Sequence, residues 1–334
     1  MFAAYAKSFF RLPRLHKLFY LLTVIVIIFV IAEYATPVRE GMKAGGANKF
    51  TLKQGPAIYD EFYVSIYDDL LFSKTKNDFE INEIIQHTQL SNRSRILDIG
   101  SGCGHHVSAL TANGFTQVQG LDISPFMVRQ ARTNYPTLKF IEGDAMNTML
   151  FPSDAFTHIT CFYFTIYYMQ DKARFFQNCA QWLHANGMLI VHLVDPAHFD
   201  PIVPAGDPFR YISPQSYVSK RITQTTVKFD EFDYKSDFKL LGSGALPEHE
   251  QEHEQEPISR GVGEGIQDVN ATLTETFTYK NNNAVRKNEH AFYMPDVAAV
   301  LNLAKQAGFI VRGKIDLVTC QYAYQYLYIL EKPT

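Results

Sequence analysis

Apolar residues follow two rhythms along this chain. Short apolar runs bounded by Gly, Pro, Asn or Asp alternate with stretches in which apolar side chains recur every three or four positions, the signatures of strands and helices respectively. Tyr59, Phe62, Tyr63, Ile66, Tyr67, Leu70 and Leu71 predict a helix over 56–72, and a second is expected over 78–89, capped by Asn77 or Asp78. Strand-like runs follow at Ile96–Ile99, around Gly120–Asp122, at Phe140–Glu142, at Phe156–Cys161 and, after a turn at Gly187, at Met188–Leu193. Between them, Val107–Leu110 opens a helix, Ser124-Pro125 caps another that runs to about Asn134, and 171–184 forms a third. A last helix over 295–307 stops at Gly308, and strands over 309–317 and 321–330 close the pattern, with Tyr322, Tyr324, Tyr326 and Tyr328 expected on one face. Strands alternating with helices call for a doubly wound, mostly parallel, seven-stranded sheet whose ligand lies at the carboxyl ends of the strands.

The pattern is broken from Asp195 to Met294. Pro196, Pro201, Pro204 and Pro208 make an irregular entry, Ile222–Tyr234 and Ala271–Tyr279 alternate like strands, and Asn281-Asn-Asn283 suits a hairpin turn. This predicts an antiparallel insertion over 195–294. Within it, residues 245–266 are expected to form a disordered acidic loop. Its core, Pro247-Glu-His-Glu-Gln-Glu-His-Glu-Gln-Glu-Pro257, contains a literal HExxH match at His249–His253. A zinc-protease helix needs an apolar face and a third ligand, and an acidic repeat between prolines has neither, so no metal site is assigned.

The chemistry concentrates in Arg95-Ile-Leu-Asp-Ile-Gly-Ser-Gly-Cys-Gly-His105. Glycines at 100, 102 and 104 allow positive φ and close backbone approach, beside the unpaired N–H groups of a helix start. The dinucleotide fingerprint G-x-G-x-x-G fails here, because the third glycine is Gly104 and His stands at 105. The form Asp98-x-Gly-x-Gly-x-Gly resembles the first motif of the class I S-adenosylmethionine-dependent methyltransferases. Gly120-Leu-Asp122-Ile-Ser resembles that family's second acidic strand end, Phe140-Ile-Glu-Gly-Asp144-Ala-Met its third strand and adenine turn, and 156–161 and 182–193 its fourth and fifth strands.

The resemblance implies a Rossmann-like methyltransferase fold with S-adenosylmethionine as cofactor. It implies that Asp98 and the amides of Gly100, Ser101, Gly102 and Gly104 hold the methionine part, that Asp122 with Ile123 meets the ribose side, and that Asp144 and Ala145 meet the adenine. Cys161, with Phe162, would lie under the cofactor. The pattern Tyr59-Asp-Glu-Phe-Tyr63 resembles a helix that closes over it, which brings in Tyr63. Thr157 stands where the family usually has Asp. Tyr63, Tyr163, Tyr167, His192 and His290 are candidate acceptor contacts, and no dedicated catalytic base is identified.

The N-terminus carries Lys7, Arg11, Arg14 and Lys17 within 1–17, followed by an uncharged apolar run from Leu18 to Ala32. A membrane-spanning helix takes about 20 residues, and Tyr34–Val38 extends the run, so 18–38 is expected to be a single-pass anchor. A cleaved signal peptide and a buried globular helix are the competing readings. Basic residues on both sides leave little charge bias, and a cofactor made in the cytosol favours a cytosol-facing catalytic domain over 57–334, reached through a linker at 39–56.

The near balance of 31 basic and 34 acidic residues offers no field for nucleic acid, and four cysteines without CxxC spacing form no disulfide framework. Aromatics at 14% call for a large core or an apolar pocket. The expected activity is methyl transfer to a small-molecule or lipid acceptor at a membrane. The alternatives are a catalytically inactive tethered binding protein on the same fold, or a nicotinamide-dependent oxidoreductase. The sequence leaves the oligomeric state open.

Overall fold

A computed structural model describes residues 22–23, 50–206, 215, 218–241 and 270–334. The proposed anchor at 18–38 lies outside these apart from Leu22 and Thr23, as do the basic segment 1–17 and the acidic tract at 245–266. Among the described residues no helix is long and apolar enough to cross a membrane. The unit from Ala47 to Thr334 contains two sheets.

The larger sheet is built from β2 (Arg95–Ile99), β3 (Gln117–Asp122), β4 (Lys139–Glu142), β5 (Phe156–Cys161), β6 (Leu183–Val194), β11 (Ile310–Asp316) and β12 (Gln325–Glu331). Its order is β11-β12-β6-β5-β2-β3-β4. Pairings from β4 to β6 are parallel, and β12 enters antiparallel beside β6 with β11 antiparallel to it. Alternation along β2 sets the two faces. Ile96 packs with α3 (His105–Ala112) and α4 (Pro125–Asn134), together with Ile81 of α2 (Lys74–His87). Leu97 and Ile99 pack on the other face with Phe175, Phe176 and Trp182 of α5 (Lys172–Trp182) and Val300 and Ala304 of α6 (Val297–Gln306). The chain runs outward from β2 to β3 and β4, then crosses to β5, so the order reverses beside the β2 carboxyl end, where α/β sheets take their ligands. Thr157 replaces the family's Asp with both halves of a clamp: its Oγ1 accepts from the Arg95 amide at 2.9 Å and donates to the Arg95 carbonyl at 3.1 Å.

The smaller sheet has the order β1-β10-β9-β8-β7, from β7 (Gln224–Lys228), β8 (Phe232–Leu240), β9 (Ala271–Tyr279), β10 (Val285–Phe292) and β1 (Phe50–Gln54). Four of its strands come from the predicted insertion and pair antiparallel. The fifth corrects the domain boundaries. Phe50–Gln54, expected within a linker over 39–56, pairs in parallel with β10 as an exposed edge strand.

Other expectations also shift. Residues 222–234 form two strands, because Phe229–Glu231 turns the chain where one strand was expected. The helix expected at 78–89 begins at Lys74, since the Ser73 side chain accepts from the Lys76 amide. α1 occupies Glu61–Leu71, capped by Asp60, after a short 3-10 turn at Gly55–Ile58. The four tyrosines do not share a strand face: β12 starts at Gln325, Tyr322 is buried in the preceding loop, and Tyr324 is exposed at positive φ. β6 starts at Leu183 and runs through the predicted turn, with positive φ at Asn186 rather than Gly187.

Candidate functional site

The β2–α3 loop takes its shape from three glycines with φ of +72° at Gly100, +51° at Gly102 and +90° at Gly104. They differ in what surrounds them. A Cβ at Gly100 would meet Thr165 Cγ2 and Oγ1 at 2.4 Å, and one at Gly104 would meet Phe140 at 2.6 Å. A Cβ at Gly102 would enter open space. Two glycines are therefore demanded by packing, and the third leaves backbone bare toward a void. Asp122, at the end of β3, braces the loop: its Oδ2 accepts from the Gly102 amide and its Oδ1 from the Ser124 amide, each at 2.9 Å. Each carboxylate oxygen retains a second lone pair for a hydroxyl.

Asp98 is buried, with Oδ1 accepting from Thr160 Oγ1 at 2.7 Å and Oδ2 left without a partner. Burial pushes its carboxyl up to about 6, against the opposing influence of His106. An orphaned buried carboxyl oxygen is suited to a cationic or hydrogen-donating ligand group. Ser101 is buried against Gly120, and Ile123 is an exposed apolar side chain at the strand end. Ala145 is buried, while the Asp144 side chain is exposed and accepts from the Met146 amide at 2.8 Å. These groups outline a seat along the carboxyl ends of β2, β3 and β4. Cys161 does not face it. Its side chain is fully buried among Ile99, Ile166 and Val191, and burial pushes the thiol upward.

Beside the seat, a cavity of about 130 Å³ opens between the two sheets. Its wall combines Tyr59, Tyr63 and Tyr67 from the α1 region, Tyr163–Thr165 and Tyr168 after β5, the 199–204 segment, and His290 and Phe292 of β10. Thr165 borders both the cavity and Gly100, so the seat and the cavity adjoin. α1 is fixed over them from several sides. Ser124 Oγ donates to the Tyr59 carbonyl at 2.9 Å, and His105 stacks on Phe72 at 4.0 Å with its Nε2 2.9 Å from Asp68. From the smaller sheet, Arg286 grips both Asp60 carboxylate oxygens at 2.8 and 2.9 Å.

The predicted acceptor contacts separate on this geometry. Tyr63 and His290 line the cavity, but the Tyr63 hydroxyl donates to Glu275 at 3.0 Å. Tyr167 is fully buried and accepts from the Val194 amide through its hydroxyl, a structural bond. His192 is buried with Nδ1 2.6 Å from the Tyr163 carbonyl, and burial, then the Lys76 ammonium, push it down to about 4. Tyr163 lines the cavity at φ +49°, a backbone strain that side-chain residues rarely carry.

Sequence reading missed two buried polar groups. Lys76 pairs with Glu80, which also bonds His106 Nε2 at 3.0 Å; against the upward push of burial, Lys76 and His106 hold the Glu80 carboxyl down to about 2. Glu275 is the second, the focus of four side chains. Among the described residues no group of three or more His, Cys, Asp or Glu side chains could hold a metal ion.

Residues 96–187, which contain the seat, match the family model described as a methyltransferase domain. This stretch carries a methyltransferase domain, and the described fold is that of the S-adenosylmethionine-dependent methyltransferases. The chain is 26% identical over 114 residues to trans-aconitate 2-methyltransferase of Escherichia coli O7:K1, a match covering 34% of the chain and 44% of the relative. The chain thus spans less than half the length of the curated relative it matches. Its fold resembles an S-adenosylmethionine-dependent methyltransferase from Clostridium acetobutylicum (TM-score 0.55, 15% identity, 81% of this chain and 98% of that one). It also resembles the CcbJ methyltransferase of Streptomyces caelestis (TM-score 0.57, 10% identity, 84% and 100%). At these identities the likeness is one of fold.

Proposed function

We propose that this methyltransferase carries a methyl group from S-adenosylmethionine to a small acceptor seated in the cavity between the two sheets. The observation that carries the reading is Gly102, whose α-carbon faces open space while Asp122 holds its amide, in the loop that follows Asp98 and its unpartnered oxygen. In this reading Asp98 and the loop from Gly100 to Gly104 border the aminocarboxypropyl end, the loop by close backbone approach, because the amides of Gly100, Ser101, Gly102 and Gly104 are already bonded to Leu121, Asp122 and Ser101. Asp122 accepts from the ribose hydroxyls, and Ile123, Asp144 and Ala145 border the base. The cofactor supplies an activated methyl group on a sulfonium, and the protein supplies alignment and exclusion of water. α1, tied to both neighbours, roofs the reacting atoms.

The aromatic walls favour an acceptor with an apolar body. A membrane-confined acceptor remains part of the proposal through the apolar run at 18–38, since tethering raises effective concentration only for partners on the same surface. Calorimetry with S-adenosylhomocysteine, S-adenosylmethionine and NAD tests the cofactor reading: the two sulfur ligands should bind at micromolar levels and NAD should give no heat. Tight NAD binding, or silence with both sulfur ligands, overturns it. A chain starting at Ala47 should keep cofactor affinity and lose turnover of lipid-embedded acceptors more than of short-chain analogues. Equal loss on both removes the membrane acceptor.

A further inference from the structure

Glu275 lies in the middle of β9, a strand position where a glutamate would ordinarily face water, yet it is fully buried. Four groups converge on it. Tyr63 and Tyr234 donate their hydroxyls to Oε1 at 3.0 and 2.9 Å, while Asn288 Nδ2 and His290 Nε2 reach Oε2 at 3.0 and 2.8 Å. The register explains the convergence: Glu275 stands directly opposite Asn288 on β10, with His290 two residues further along. Burial works to raise the Glu275 carboxyl, but His290 and the hydrogen bonds from Asn288 and Tyr234 outweigh it and hold it below the ordinary value.

The bond at Nε2 fixes the tautomer of His290. With that nitrogen donating to a carboxylate, Nδ1 carries the lone pair, and it accepts from the Tyr168 hydroxyl at 2.7 Å. Tyr168 in turn accepts from the Tyr59 hydroxyl at 2.9 Å. All the donors therefore point one way, from Tyr59 through Tyr168 and His290 to Glu275. Tyr59, Tyr168 and His290 all line the cavity, and the Tyr59 carbonyl is bonded to Ser124, two residues past Asp122. The chain of hydroxyls thus begins where the cofactor seat ends. A base oriented by a carboxylate and opening on a cavity through a hydroxyl is the arrangement that general-base chemistry needs.

We propose that Tyr168 and His290, oriented by Glu275, remove the proton that the acceptor loses on methylation, so that the acceptor reacts through an oxygen or nitrogen bearing hydrogen. This rests on the methyl-transfer reading above. The acceptor's lone pair forms the bond to the methyl carbon as the carbon–sulfur bond breaks and its electron pair stays on sulfur, turning sulfonium into thioether. The acceptor's proton passes to Tyr168 Oη, the Tyr168 proton passes to His290 Nδ1, and the resulting imidazolium faces the Glu275 carboxylate. No other reactant is needed. Burial raises the two phenols of the hydroxyl chain, Tyr59 and Tyr168, so they stay protonated and transmit the proton rather than keep the charge. Carboxylate acceptors, such as the one named for the trans-aconitate relatives, reach neutral pH already ionised and would leave this relay without a task. Among the described residues of the cavity wall the one ammonium, Lys76, is already paired with Glu80.

The test uses the full chain, methyl-tritiated S-adenosylmethionine and the methanol-soluble metabolite pool of the source cells as acceptor mixture, with labelled products identified by mass and NMR. The label should sit on an oxygen or nitrogen that carried hydrogen. With the purified acceptor, His290→Gln and Tyr168→Phe should each lower kcat about 100-fold or more, while acceptor KM and S-adenosylhomocysteine affinity stay within about twofold. If His290→Gln does not fold, Tyr168→Phe, which keeps the ring, carries the test. Label on a carboxylate, sulfur or carbon, or a kcat within threefold of wild type in the folded variants, overturns the relay and leaves the methyltransferase reading standing. Absence of any labelled product, or of cofactor binding, overturns that reading itself and the relay with it.

Discussion

Gly100 and Gly102 are two residues apart in one loop, both in the left-handed region, and alanine at the two positions should have different consequences. A side-chain residue forced to left-handed φ costs roughly 1–2 kcal/mol. At Gly102 that is the whole expected cost to the fold, because the new methyl group touches nothing within 4 Å. At Gly100 the methyl group lands 2.4 Å from two atoms of Thr165 and 3.0 Å from its Cβ, so an overpacking cost of about 1–3 kcal/mol adds to the backbone cost. Gly100→Ala should therefore lose about 2–5 kcal/mol; with a urea m-value of about 3 kcal/mol/M for a domain this size, its midpoint falls by about 0.7–1.7 M. Ligand affinity should behave in the opposite way. The Gly102→Ala methyl group occupies the space assigned to the cofactor, and S-adenosylhomocysteine should bind at least tenfold more weakly, a change of about 1.4 kcal/mol. Urea titrations and calorimetry on both variants decide the matter. Adding Thr165→Ala to Gly100→Ala should recover part of its loss, which checks the clash as its cause. Equal destabilisation of the two single variants, or wild-type affinity in Gly102→Ala, would refute the assignment of packing to one glycine and ligand approach to the other.

Asp98 has its carboxyl raised to about 6 in the fold, so its neutral form stabilises the ligand-free protein. That contribution is complete below the unfolded value near 3.8 and is lost as pH rises through about 6, and Asp98→Asn should flatten this fall in urea midpoint; parallel curves for variant and wild type would refute it. Glu275→Gln presents an amide to donors that now meet a carboxylate and should cost about 3–5 kcal/mol near neutral pH. Because the folded carboxyl is lowered, its contribution is present above the ordinary glutamate value and lost on acidification through the folded one, so the gap should close in acid; a pH-independent gap would count against the charge as its source. Deleting 248–256 should leave the urea midpoint and S-adenosylhomocysteine affinity unchanged, and stoichiometric zinc present before deletion and absent after it would restore the HExxH motif as a metal site.

The cofactor loop is legible in the sequence because its requirements are local: a short apolar strand, glycines at alternate positions and an acid at the end of the next strand each leave a mark in the order of residues. The relay is not local. Arg286, Asn288 and His290 recur at every second position of β10, a pattern that reads as a solvated strand face, yet that face is the buried one. Only the register with β9 brings Glu275 to them, and no property of either segment alone specifies it. A period-two polar set ending in Phe292 is the signal the sequence offers; His290 is named in it only as a candidate acceptor contact of the resembled family, without its partners. The hairpin at 229–231 escaped for a related reason, since Phe229-Asp-Glu carries none of the Gly, Asn or Pro that mark a tight turn, and its signal is only the slip of the apolar positions from Val227 and Phe229 to Phe232 and Tyr234. The early start of α2 rests on Ser73 and on Lys76 and Glu80 satisfying each other inside the protein, charges that a reading by hydrophobic period assigns to the surface.

The position of β12 between β6 and β11 sets a constraint on biosynthesis. β6 can pair with β5 as soon as both have left the ribosome, but its other edge waits for a strand that follows residues 195–324. Throughout that interval a long apolar strand, buried along most of its length in the finished protein, has one open edge able to pair with another chain. The smaller sheet is emerging at the same time, and its edge strand β1, made first, pairs with β10, made near the end. Both sheets are thus completed late and by contacts distant in sequence, which slows folding and lengthens the exposure of an aggregation-prone edge. Translation halted or truncated before residue 325 should accordingly yield insoluble protein rather than a stable smaller domain, even though every residue of the cofactor seat has already been made.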